Sequence, residues 1–329
     1  MTTDRVALLR EDILGGPAAL AELLDAYAAP DGPLEGIGQP PGRVVFTGLG
    51  SSRYAATMAA ALARSAGIAA WAEYASTSLP TPPAPSQVVV AISASGGTRE
   101  VVAAAERDRA TGRLIAVTND ERSPLAASAN VVLPLFAGRE GSGIATRTFR
   151  ATVAVLAMLI ERWSGRGDVL GDPRKTLDAL RAVLDGNQAW VSDATDHLDG
   201  APAIDVMGDA ADSALVHQGA LMLREAPRLP ATGHDTADWL HTAVYLAFPG
   251  HRALVFRGSS GDEEVVDTIR RRGGETIVVG ASAPGAALTI DAPQLDGAAA
   301  RAVVLSVIAE LLALELWDRA SADEIPAPG

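Results

Sequence analysis

Short apolar runs alternate with longer amphipathic stretches along most of the chain. The clearest run is Val88-Val89-Val90-Ala91-Ile92. It shows no polar alternation, which predicts a parallel strand buried on both faces. A loop of hydroxyls and glycines follows, Ser93-Ala94-Ser95-Gly96-Gly97-Thr98. The spacing then predicts a helix over 99–110, with Val101 and Val102 on its apolar side. Further strands are predicted at 43–47, 69–74, 114–118 and 130–135. Helices are predicted at 54–66 and 146–163, and another starts at Ser123-Pro124, which suit N-cap and N1. Residues 5–28 read as a helical arm, and the prolines of 29–42 mark a loop. A Gly-rich boundary at 164–173 and a helical connector over 176–198 separate this half from the next. There the pattern restarts, with strands at 203–207, 253–256, 275–279 and 288–290. Helices are predicted at 211–225, 263–272 and 298–317.

Repeated strand–helix units with unalternating strands predict an α/β fold. The expected architecture is two doubly wound, flavodoxin-like parallel-sheet subdomains of the same topology, preceded by the helical arm. The expected divisions are 1–42 for arm and loop, 43–164 for the first subdomain, 165–200 for the connector and 201–329 for the second subdomain.

Charge and composition narrow the function classes. The 329 residues carry 27 Lys and Arg against 40 Asp and Glu, a formal net charge of −13. Such a chain repels a nucleic-acid backbone, so no nucleic-acid partner is expected. There is no cysteine, hence no disulfide framework and no thiolate nucleophile. The five histidines form no HxH or HxxxH pair, so neither a metal nor a cofactor is expected. The first residues lack a signal-peptide pattern, and the apolar run 153–160 is too short to span a bilayer. A cytoplasmic protein without membrane contact is expected.

Two loops carry candidate chemistry, Gly48-Leu49-Gly50-Ser51-Ser52 and the 93–98 loop. Each is predicted to lie where a parallel strand ends and a helix begins. Helix N-termini present unpaired N–H groups and partial positive charge, which suit a phosphate. On the residues alone the 93–98 loop is equally an ordinary strand-to-helix turn with a hydroxyl cap. Arg53 and Arg99 flank the loops as candidates for added charge. The corresponding loop of the second half, Arg257-Gly258-Ser259-Ser260-Gly261-Asp262, ends in an acid that would oppose an anion. A phosphate site is therefore expected in the first half only.

Ser93-x-Ser95-Gly96-x-Thr98, preceded by Gly50-Ser51-Ser52, resembles the phosphosugar signature of the SIS (sugar isomerase) domain. Ala137-Gly138-Arg139-Glu140 followed by Thr146-Arg147-Thr148-Phe149 resembles an Ala-Gly-x-Glu…Thr-Lys-x-Phe segment. Gly219-Ala220-Leu221-Met222-Leu223-Arg224-Glu225 resembles a Gly-Ala-Leu-Lys-Leu-Lys-Glu helix. Both belong to the isomerase half of glucosamine-6-phosphate synthase and its stand-alone relatives. The resemblance implies that Ser52, Ser93, Ser95, Gly96 and Thr98 hold a sugar phosphate, with Gly50, Ser51, Ala94, Gly97 and Thr146 as further contacts. It implies that Glu225 shuttles a proton between C1 and C2 of the open-chain sugar. It also implies that His241, 16 residues later, opens the ring or protonates a leaving group from the neighbouring subunit. A homodimer, or a dimer of dimers, is thereby implied. Without the resemblance, Glu225 and His241 read as a helix-surface acid and a structural histidine.

The departures matter. A chain without cysteine has no thiol to release ammonia from glutamine, so it is not expected to be a complete glutamine-dependent synthase. Met222 stands in place of a lysine, Ala94 in place of a polar loop residue and Ala145 in place of a serine. The end of the chain, 317–329, has no lysine, and the single lysine, Lys175, lies in the connector. Lysine-assisted chemistry is not expected. The expected function is aldose–ketose isomerisation, or deamination, of a phosphorylated sugar by Glu225 and His241. The alternatives are a deglycase of a phosphorylated sugar–amine (Amadori) adduct and a non-catalytic sugar-phosphate sensor.

Overall fold

The computed structural model describes residues 2–109 and 112–320. The end of the chain, where a lysine is missing, lies largely outside the described residues, as does position 110. The arm is two helices, α1 (Thr2–Leu14) and α2 (Gly16–Ala28). The first half then runs β1 (Arg43–Gly48), α3 (Ser51–Ser65), β2 (Ala70–Tyr74), β3 (Gln87–Ile92), α4 (Arg99–Arg109), β4 (Arg113–Thr118), α5 (Pro124–Ser128), β5 (Val131–Pro134) and α6 (Arg147–Ser164). The helical connector is α7 (Pro173–Asp185) and α8 (Val191–Leu198), separated at Gly186 by a short 3₁₀ turn. The second half runs β6 (Ile204–Gly208), α9 (Ser213–Glu225), β7 (Ala231–Asp235), α10 (Thr236–His241), β8 (Arg252–Phe256), α11 (Asp262–Arg271), β9 (Glu275–Val279), β10 (Leu288–Ile290) and α12 (Ala298–Arg319).

Each half holds one five-stranded sheet in which all pairings are parallel. The orders are β2-β1-β3-β4-β5 and β7-β6-β8-β9-β10, so the two halves share one topology. The central strand β3 is buried at all six positions, as its unbroken apolar run requires. Ser123 caps α5 and accepts from the Ala126 N–H at 3.3 Å. The pattern did not reveal β7 and α10. Strand β7, Ala-Thr-Gly-His-Asp, is an edge strand with one buried residue, so it needs no apolar run.

The two halves share a core. Helices α6 and α12 pack on each other, α6 also packs on α3 and α12 on α9. Both long helices are buried on nearly every face, which explains apolar sequence without a membrane role. Among the described residues no helix is long and apolar enough to cross a membrane. At their contact Arg150 of α6 bonds Glu310 of α12, with side chains 1% and 0% exposed. Gly16 lies against this guanidinium: a Cβ there would fall 2.5 Å from Arg150 Nη2. Burial pushes the Glu310 carboxyl up against the pull of Arg150.

Removing one partner strands the other charge without water, whereas replacing both removes two desolvation penalties. Arg150→Ala or Glu310→Ala is therefore expected to lower unfolding free energy by about 3–5 kcal/mol. The double variant Arg150→Met/Glu310→Leu is expected to lie close to or above wild type. Denaturant titration of the three variants reads the difference.

Candidate active site

The strands of the first sheet end at a cavity of about 1040 Å³. Ser51 and Ser52 enter it from the first turn of α3, and Ser93, Ala94, Ser95 and Thr98 from the β3–α4 loop. The β4–α5 loop contributes Asn119, Asp120 and Glu121, the segment before α6 contributes Arg139 and Glu140, and α2 contributes Glu22. From the second half comes Glu225, the last residue of α9.

The hydroxyl loop is tightly built. Ser93 Oγ and Thr98 Oγ1 share a hydrogen bond of 3.0 Å, and the Gly97 N–H donates to Ser95 Oγ at 3.3 Å. Gly96 does not line the cavity. It has φ +61°, its N–H donates to the Ser93 carbonyl at 3.0 Å, and its carbonyl accepts from Leu125 N at 3.0 Å. A Cβ at position 96 would fall 2.0 Å from Ser123 Oγ, so glycine is what lets the loop close on α5. Gly50 and Gly97 also stand outside the cavity wall. Gly50, at φ +54°, is the N-cap of α3, whose first residues Ser51 and Ser52 line the cavity. The α3 and α4 N-termini thus point at one space, together with the hydroxyls of Ser51, Ser52, Ser93, Ser95 and Thr98. That arrangement suits a phosphate dianion.

The second sheet carries the same loop with the acceptor built in. Asp262, fully buried, accepts from the Gly258 and Ser259 N–H groups at 2.8 and 2.9 Å and from Thr236 Oγ1 at 3.1 Å. A carboxylate occupies the N–H groups of that loop, whereas the sequence reading went only as far as an acid that opposes an anion.

Thr146 is buried and bonds Glu140 instead of lining the cavity. Glu140 was not singled out from the sequence as a site residue, although its Ala-Gly-x-Glu motif drew notice. Its carboxylate accepts from the N–H groups of Thr146 (2.6 Å) and Thr148 (3.1 Å) and from both hydroxyls. It thereby satisfies the start of α6. Asn119 ties two loops together, accepting from Ala137 N at 3.0 Å and donating to the Gly138 carbonyl at 2.6 Å. Arg139 is exposed, makes no ion pair among the described residues and is the one cation among the lining residues described. Neither expected arginine lines the cavity: Arg53 lies over the Tyr74 ring, and Arg99 pairs with Glu100 at 3.4 Å in solvent.

Glu225 is exposed as a residue, while the surrounding wall partly desolvates its carboxyl. Burial pushes its carboxyl up, Arg224 opposes this and Glu140 adds to it. A carboxylate held in that way is a stronger base than one in water. His241 ends α10 exposed and away from this cavity. Its helix is anchored by Trp239, whose Nε1 donates to Asp205 Oδ2 at 2.7 Å. Burial tends to raise the Asp205 carboxyl, but bonds from His234, His251 and Trp239 prevail and hold it far below the ordinary range. Among the described residues no group of three or more His, Asp or Glu is arranged to hold a metal ion.

Residues 39–162 match the family model described as SIS domain. The chain is 29% identical over 304 residues to a glutamine–fructose-6-phosphate aminotransferase (isomerizing) of Aeropyrum pernix, across 87% of this chain and 48% of that protein. It spans about half the length of that relative. In fold it is similar to the C-terminal domain of glucosamine-fructose-6-phosphate aminotransferase from Francisella tularensis, with TM-score 0.81 and 15% identity over 94% of this chain and 95% of that one. It is also similar to a glucosamine-6-phosphate deaminase from Thermotoga maritima, with TM-score 0.77 and 18% identity over 94% of each chain.

Because the Glu225 carboxyl is raised in the folded protein, it disfavours folding once pH exceeds the ordinary carboxylate range. Glu225→Gln is expected to be more stable than wild type at pH 7. The gain should vanish below about pH 4, where the carboxyl is protonated folded and unfolded alike. Melting temperatures of both proteins across pH 4–8 check this.

Proposed function

We propose, from the premise that residues 39–162 form a SIS domain, that this chain is a sugar-phosphate enzyme working by proton transfer. The reaction is aldose–ketose isomerisation, or deamination, of a phosphorylated sugar. One observation carries the reading: the four hydroxyls of Ser52, Ser93, Ser95 and Thr98 line the same cavity as Glu225. Phosphate bound by the hydroxyls and helix N-termini would anchor one end of an open-chain sugar. Glu225 would then take the proton from the carbon beside the carbonyl. The C–H electron pair becomes the C=C bond of an enediol, and the carbonyl oxygen takes up a proton. Returning the abstracted proton to the former carbonyl carbon, while the other enediol hydroxyl gives up its proton and becomes the new carbonyl, completes the isomerisation. Where that carbon bears an amine, loss of ammonia and addition of water give the deaminated sugar. The names of the similar proteins, an isomerizing aminotransferase and a deaminase, support this chemistry.

His241 enters from a second copy of the chain in this reading. Its exposure supports that, as do its apolar neighbours Tyr245, Leu246 and Phe248, which are 79%, 67% and 44% exposed. Adjacent exposed apolar side chains mark an association surface.

The deglycase reading draws on one different feature. The wall beyond the hydroxyls carries Glu22, Asp120 and Glu121 beside the single cation Arg139, a setting suited to an ammonium-bearing adduct.

NMR in D2O with fructose, glucose, glucosamine and fructosamine 6-phosphates tests the proposal. Deuterium is expected at C1 or C2, and Glu225→Gln is expected to abolish it while binding stays within a few-fold. Binding without exchange in wild type would leave a sensor, and exchange retained in Glu225→Gln would remove the assignment of the base. The products separate isomerase, deaminase and deglycase.

A mixing experiment tests the partner histidine. Glu225→Gln and His241→Ala are each expected to be inactive alone. After subunit exchange, half of the dimers are mixed and one of their two sites is intact, so roughly a quarter of wild-type activity should return. No recovery would place His241 in its own subunit's site, and activity of His241→Ala alone would place it outside the reaction.

A further inference from the structure

We infer that Asp12 is a positioning residue of the cavity: from the N-terminal arm it fixes the 138–142 segment that presents Arg139 and Glu140. The ligand part of this inference rests on the sugar-phosphate reading; the positioning part does not.

Asp12 lies near the end of α1 with its side chain 4% exposed. It does not line the cavity. Its Oδ1 accepts from the Gly141 N–H at 3.1 Å and its Oδ2 from the Ser142 N–H at 2.9 Å. Arg147, the first residue of α6, donates to Oδ1 at 2.7 Å and with the same nitrogen to the Arg139 carbonyl at 2.8 Å. The carboxylate and the guanidinium therefore close a ring around the backbone of 139–142. Two more residues of α1 complete the seat. Arg5 donates to the Ser142 carbonyl at 3.0 Å, and Leu8 packs so closely on Gly141 that a Cβ there would fall 2.9 Å from Leu8 Cδ2.

The consequence is directional. Gly141 and Ser142 spend their N–H groups on the arm, and the Arg139 carbonyl is taken by Arg147. The side chains of Arg139 and Glu140 remain on the cavity side. Glu140 is then locked by Thr146 and Thr148, and its charge acts on Glu225. A buried carboxylate with three donors makes strong charge-assisted bonds, and losing it leaves backbone N–H groups unpaired. The arm thus sets the electrostatics of a carboxyl supplied by the other half of the chain.

Asp12→Asn keeps the size of the side chain but removes its charge and one acceptor. Arg147→Gln breaks the ring from the other side and serves where the first variant folds poorly. In either variant, amide hydrogen exchange at Gly141 and Ser142 should speed up by on the order of tenfold. The titration midpoint of Glu225, followed by carbon NMR of labelled glutamate, should fall, because a loosened segment admits water and lets Glu140 move away while Arg224 stays. A residue that only holds the fold together would lower the melting temperature without moving that midpoint. Unchanged exchange and an unchanged midpoint in both variants would overturn the inference. With fructose 6-phosphate as probe, affinity should also drop several-fold. If wild type binds none of the sugar phosphates tested and the midpoint still falls, the positioning role holds and the sugar-phosphate reading fails.

Discussion

Backbone N–H groups at the start of a helix need an acceptor, and in a parallel sheet they gather where the strands end. Much of this molecule is arranged around how that need is met. In the second sheet Asp262 meets it from within, bonding the N–H groups of Gly258 and Ser259. At the start of α6 Glu140 meets it through Thr146 and Thr148. The N-termini of α3 and α4 instead face an open cavity lined with hydroxyls. In a chain of net charge −13, the long-range field does not attract an anion. Recognition therefore falls to short-range donors in fixed places, which suits a phosphate held by geometry.

The fixed places depend on the shared core. The α6–α12 contact, with its buried Arg150–Glu310 pair, joins the halves. Helix α9 packs against α3 and α12, and its Gln218 donates to the Ala145 carbonyl in the cavity wall at 2.8 Å. Those contacts carry the end of a second-half helix to a first-half cavity and set Glu225 beside the hydroxyl loops. The partial desolvation that raises its carboxyl also disfavours folding above the ordinary carboxylate pKa.

The parts legible in the sequence were those with local signals. The unbroken apolar run of β3, the hydroxyl loop behind it and the restart of the pattern after 200 gave the fold class and half of the cavity wall. Strand β7 escaped because an edge strand of Gly, His and Asp carries no apolar run. The roles of Gly96 and Thr146 escaped because they are set by Ser123 and Glu140, across turns whose closure no spacing predicts. The Asp12 clamp joins positions 129 to 135 residues apart. In one sequence nothing distinguishes that aspartate from any other acid on an amphipathic helix. Glu140 was within reach, because an acid a few residues before a helix is a capping signal.

The two halves have one strand order and differ at the loops where their strands end. Two copies of an open loop in one chain would ask for two anions. Filling one loop with Asp262 leaves the second sheet satisfied without ligand and free to serve as scaffold. Its helix α9 then contributes Glu225 to the first half, and α10 carries His241 to the surface beside exposed apolar side chains. Glu225 thus reaches the cavity from outside residues 39–162, which match the SIS domain model. The first half supplies the hydroxyls and helix N-termini of the cavity, together with the acids Glu22, Asp120, Glu121 and Glu140. The hydroxyl loops and Glu225 come from halves of like topology, and the shared core holds them around one cavity.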